Sequence, residues 1–101
     1  MVKKYYSDYV RHALRFYVRN RNPLSLYGKS DATEEDWIAC NVVFNDLLPD
    51  SREMIIAVYQ PSDTMADNVY NAAKKFNIPQ DHLWSLMAVV EKRIAQERGL
   101  L

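Results

Sequence analysis

The chain has 101 residues, 49% hydrophobic and 26% charged, which suits one globular core and excludes both an intrinsically disordered chain and an enzyme with a separate substrate lobe. Thirteen basic and thirteen acidic residues cancel, which excludes binding to nucleic acid through bulk charge alone. The single Cys40 excludes an internal disulfide, and no segment approaches the ~20 apolar residues that a membrane span needs.

The distribution of charge says more than its total. Residues 1–30 hold seven Lys or Arg against Asp8 alone, residues 31–67 hold nine acids against Arg52 alone, and residues 68–101 hold five bases against three acids. A basic N-terminal arm and an acidic middle either meet across the fold or face different partners. Met1-Val2-Lys3-Lys4 leads into tyrosines and charges rather than an apolar run, so no signal peptide is expected. With the lone cysteine, this predicts a soluble protein of a reducing cytoplasm, with no membrane partner.

Residues 3–20 predict a helix with a heavy aromatic load: Tyr5, Tyr6, Tyr9, Phe16 and Tyr17. Helical spacing places Tyr6, Val10, Ala13 and Tyr17 on one face and Lys4, Arg11, Arg15 and Arg19 on another. A core-facing stripe backed by a solvated basic face accounts for this. So does a face whose arginines touch phosphates while nearby tyrosines add hydrogen bonds or stacking. From 20 to 30 the period fails, and Pro23 with Gly28 marks a loop. Leu24, Leu26 and Tyr27 are apolar enough to predict that this loop lies against the body.

Asp31 with Glu34 has the spacing of a capping box, Thr33 with Asp36 being the competing pair. Trp37, Cys40, Val43, Phe44 and Leu47 then mark the buried face of a helix ending near Leu48, with Cys40 expected as a buried thiol. Asp50 repeats the capping signal with Glu53, and Met54, Ile55, Val58 and Tyr59 supply the next buried face until Pro61 stops it. Asp63 or Thr64 is the natural cap for a helix over 67–76.

In that helix Val69, Tyr70, Ala72, Ala73 and Phe76 recur at the spacing of one face. Asn77 tolerates the left-handed conformation that closes a helix, and Pro79 suits the first turn of the next one. Leu83, Leu86, Met87, Val90 and Ile94 form a stripe that can fold back on the first helix, with Gly99 as its terminator. Five helices joined by short links, with no alternating strand pattern, predict an all-α fold: a compact bundle forming a single domain over 1–101. Its parts are a basic aromatic helix and loop over 1–30, two capped helices over 31–60, and a C-terminal helix-turn-helix over 64–98.

Close packing across such a turn needs a small residue facing the partner helix, a tight bend and buried aliphatics beyond it. Ala73, Asn77, Ile78, Leu83 and Leu86 fill those places in order. On these residues, and on LLPDSREMIIAVY at 47–59 as the preceding helix, the chain from 48 to 98 resembles the DNA-binding region 4 of sigma factors and related tetrahelical regulators. The stretches YYSDYVRHALRFYVR, DNVY and the RGL ending are also similar to small sigma-like regulators carried by phages and mobile elements of Gram-positive bacteria. The resemblance implies a transcription regulator that binds DNA, RNA polymerase or both. It also implies that the early exposed positions of the second motif helix enter the major groove.

On those positions Gln80 can pair with adenine and Ser85 can reach a base or a phosphate. Lys74, Lys75, Lys92, Arg93 and Arg98, with Arg11 and Arg15 of the first helix, are the candidate phosphate contacts, although lysines at helix ends are equally at home in water. Asp81 repels phosphate, Trp84 is bulky for a groove, and no arginine lies between Gln80 and Ala88. The alternative is therefore a protein-protein interaction domain on the same scaffold, meeting a partner or a second copy through Trp84, Tyr5 and Tyr9, unless Trp84 packs inward. His12 and His82 lack the neighbours of a zinc site, Gly28 stands alone, and Glu34, Glu35 and Asp36 are explained by a helix dipole. No enzyme, metal or cofactor is expected.

Overall fold

A computed structural model describes residues 6–101 as five helices in sequence: α1 Ser7–Arg19, α2 Asp31–Asn45, α3 Pro49–Tyr59, α4 Met65–Phe76 and α5 Gln80–Glu97. A short 3-10 turn at Pro23–Leu26 joins α1 to α2, and no strand occurs among the described residues. The fold is all-α, as expected. None of the described helices is long and apolar enough to cross a membrane. The radius of gyration is 13.2 Å, close to the ~13 Å expected for a compact chain of this length.

Helix α5 is in contact with each of the other four. Its stripe Leu83, Met87, Val90 and Ile94 is fully buried, and Leu86 is half-buried against the same core. Around it α1 packs on α2 and α3 on α4. The face predicted for α1 is the buried one: Tyr6, Val10, Ala13 and Tyr17 all point inward, joined by Leu14 and Val18. Lys4 and Tyr5, assigned to the same helix from spacing, lie outside the described residues.

An aromatic cluster fastens α1 to α2. The Tyr17 ring meets Trp37 and Phe44 edge-on, with centroids 5.3 and 5.5 Å away, and its hydroxyl donates to Asn41 Oδ1 at 2.8 Å. Trp37 Nε1 donates to the Asn20 carbonyl at 2.8 Å, pinning the start of the loop. Of the three apolar loop residues only Leu26 packs against the core; Leu24 and Tyr27 stand in solvent, 80% and 94% exposed, so the loop lies on the body only in part. Asn22 accepts from Leu24 N–H and organises the 3-10 turn locally, which holds the loop without those two side chains.

The helix caps differ from the expected ones. Ser30, not Asp31, precedes α2 and accepts from Thr33 N–H at 3.2 Å, which leaves Asp31 inside the first turn as a dipole partner. Helix α3 begins at Pro49 with Leu48 before it, so Asp50 makes no cap; proline occupies the first helical position because it has no N–H to satisfy. Arg52 of α3 donates to the Phe44 and Asn45 carbonyls, at 3.1 and 2.6 Å, and so satisfies the end of α2. Thr64 precedes α4 without a side-chain cap. The link before it is held by buried Asn68, whose amide donates to the Val58 and Ser62 carbonyls at 2.8 Å each and accepts from the Ser62 hydroxyl at 2.8 Å.

At the junction of α4 and α5 the chain bends at Asn77. That residue sits at φ 53° and ψ 50°, and Ile78 N–H donates to the Ala73 carbonyl at 3.0 Å while Asn77 N–H donates to Lys74 at 3.3 Å. This pair of bonds is the Schellman closure of a helix. Pro79 lies one residue earlier than expected, before the first turn rather than in it: its ψ of 145° is extended, and its carbonyl accepts from His82 N–H. Ala73 and Leu83 are both buried where the two helices pack, and Gly99, at φ 74°, ends α5 with the same left-handed device.

Candidate functional site

Behind the bend, α5 turns a polar stripe outward. Asp81, Ser85, Ala88 and Lys92 recur at four-, three- and four-residue steps and are exposed, as is Gln80 at the helix start. Lys92 lies about 16 Å along the axis from Asp81. Lys74 and Lys75 stand in the last turn of α4, just before the bend, and are likewise exposed. Each ammonium lies over an aromatic ring, Lys74 at 5.3 Å from the Tyr70 centroid and Lys75 at 5.4 Å from that of Phe76. None of these three lysines forms an ion pair among the described residues.

Each of the arginines proposed beside them has an acid close by. Arg11 Nε donates to Glu91 Oε2 at 2.9 Å. Arg15 Nε lies 3.9 Å from Asp63, which also binds Arg19 at 3.2 Å. Arg93 pairs with Asp46 at 2.6 Å, and Arg98 with Asp36 at 2.6 Å and Glu35 at 3.2 Å. On the described part of the basic face of α1, Arg11 is tied to an acid of α5 and Arg19 to one in the α3–α4 link, with Arg15 near the latter, while all three side chains keep part of their surface in solvent. Of the candidate nucleic-acid contacts, Gln80, Ser85, Lys74, Lys75 and Lys92 are exposed and form no ion pair among the described residues, whereas Arg11 and Arg93 are in ion pairs and Arg15 stands near Asp63.

The candidate protein-docking side chains are engaged as well. Trp84 is half-buried and packs against the core. Tyr9 is 44% exposed, yet its hydroxyl donates to Asp36 at 2.8 Å and accepts from Arg98 at 3.3 Å. Tyr5 lies outside the described residues.

Three buried polar residues, Ser7, Asn68 and Glu91, escaped the sequence reading, and two of them hold elements together. Glu91, 3% exposed, accepts from the Tyr59 hydroxyl at 2.5 Å as well as from Arg11, and Asn68 holds the α3–α4 link. Glu91 continues the buried face as the residue next to Val90, but a glutamate in a helix reads as solvent-facing unless its partners are known. Burial, with the neighbouring Glu91 charge, pushes the Tyr59 phenol well above its ordinary range. Cys40 is fully buried as expected, and burial pushes its thiol up to about 12. His12 and His82 are exposed, and no group of three potential metal ligands occurs among the described residues.

No family model, no curated protein and no solved structure matches this chain.

Proposed function

We propose that this protein is a non-enzymatic transcription regulator of the sigma region 4 type, binding DNA, RNA polymerase or both through the unit formed by α4, its turn and α5. The observation that carries this reading is the Schellman-closed bend at Asn77, with Ala73 and Leu83 buried behind it and Gln80, Ser85 and Lys92 turned outward on α5. In such a unit the second helix offers its outer stripe to the major groove, and cations beside the turn meet the phosphates. Lys74 and Lys75 occupy that flanking place on α4. Because Arg11, Arg15 and Arg93 are bound to acids or held close to them, affinity rests on three lysines rather than a broad basic face.

Three phosphate contacts correspond to a slope of roughly −3 in log affinity against log salt. Fluorescence anisotropy against mixed-sequence duplexes at low salt reads this directly. Replacing both Lys74 and Lys75 by glutamine is expected to reduce the slope by roughly 2. Lack of any salt-sensitive binding by the unaltered protein would remove the DNA half of the proposal, and the same titration against purified RNA polymerase tests the other half.

A further inference from the structure

On a different flank of α5 from Ser85 and Lys92, that helix meets α2 along an open groove of about 270 Å3, lined by Glu35, Ile38, Ala39, Val42, Glu97 and Arg98. Its floor is apolar. Ile38 and Val42, one helical turn apart, are 49% and 47% exposed on a helix whose opposite face, Trp37, Cys40, Val43 and Phe44, is buried. Its rim carries excess negative charge. The one lining cation, Arg98, is already held by Asp36 and Glu35, whereas Glu97 and the nearby Glu34 and Asp31 are exposed and form no ion pair among the described residues.

The dimensions select among occupants. Two half-exposed aliphatic side chains, with Ala39 already buried between them and the core, fall far short of the ~800 Å2 per subunit that a stable dimer buries. They match the apolar edge of a single helix, whose anchors recur every three or four residues. We infer that the α2–α5 groove docks a basic amphipathic helix of a protein partner, its apolar anchors on Ile38 and Val42 and its lysines or arginines against Glu35 and Glu97. This surface does not include Gln80, Ser85, Lys74, Lys75 or Lys92, so it stands whether or not the protein binds DNA.

The test uses the full chain and two fluorescein-labelled model helices, one of leucine and lysine and one of leucine and glutamate, read by anisotropy. The lysine helix is expected to bind and the glutamate helix not. Ile38→Asp, and separately the pair Glu35→Lys with Glu97→Lys, should each weaken binding about tenfold or more. Glu53→Lys, at an exposed acid of α3 outside the groove, should leave it unchanged. Circular dichroism checks that each variant is folded; if Ile38→Asp is not, Val42→Ser reads the same floor and should weaken binding in the same direction. Equal loss with Glu53→Lys, no loss with the groove variants, or equal binding of the glutamate helix would each overturn the inference. So would a dimer in light scattering that Ile38→Asp disperses, which would assign the groove to a second copy of the chain.

Discussion

Glu91 keeps a carboxylate in the interior because Tyr59 and Arg11 converge on one of its oxygens. A buried charge that loses its partners, or partners that lose their charge, carry the full cost of desolvation. Glu91→Ala strands the Tyr59 hydroxyl and frees Arg11, and is expected to cost about 3 kcal/mol in urea denaturation. Tyr59→Phe removes one donor and leaves the Arg11 pair, and should cost about 1–2 kcal/mol. Alkaline pH probes the same interior. Tyr59 and Cys40 both hold their protons more tightly folded than unfolded, so their contribution is complete below the ordinary thiol value of 9 and is lost as pH rises toward 12. Stability should therefore fall between pH 9 and 12, and Cys40→Ala should make that fall shallower whatever it does to the value at neutral pH. The same burial predicts that Cys40 resists thiol reagents near pH 8 until the protein is unfolded.

At the scale of elements, the bend between α4 and α5 depends on one left-handed residue. Asn77→Ala forces a Cβ-bearing side chain without a compensating local polar group into that conformation, and thermal or urea unfolding should show a loss of about 1–2 kcal/mol; Asn77→Gly should lie within a few tenths of the unaltered protein. This bend was legible in the sequence because its cause is local: alanine spacing, an asparagine that accepts positive φ, and a proline just beyond. The buried faces of α1, α2 and α5 were legible for the same reason, since Tyr6, Val10, Ala13 and Tyr17 announce a period. Caps were less so. Ser30, Asp31, Thr33 and the acids that follow offer several cap spacings, and which hydroxyl or carboxylate is used depends on where the backbone leaves the loop. The exposure of Lys74, Lys75 and Lys92 was legible in the sequence, and the acids that face the arginines were not. Arg11 and Arg15 have the spacing of a solvent face, and nothing near them in the chain reveals Glu91, eighty positions away, or Asp63.

Over the whole molecule, the basic first third and the acidic middle do meet, and where they meet sets what remains for a partner. Arg15 and Arg19 face Asp63, and Tyr9 joins Arg98 on Asp36, so that one carboxylate of α2 gathers α1 and the end of α5. Asp36 and Glu35 are adjacent and both bind Arg98, yet their side chains differ in exposure, 17% against 63%. Water screens the second pair and leaves it worth a fraction of a kcal/mol, while the first also satisfies the Tyr9 hydroxyl in a partly dry setting. Glu35→Gln is therefore expected to change stability by less than about 0.5 kcal/mol. Asp36→Asn, similar in shape but without the charge, should cost about 1–2 kcal/mol in urea denaturation followed by Trp37 fluorescence. Equal effects from the two substitutions would mean that Asp36 is no more than another surface charge, and that the three elements are held together by their apolar faces alone.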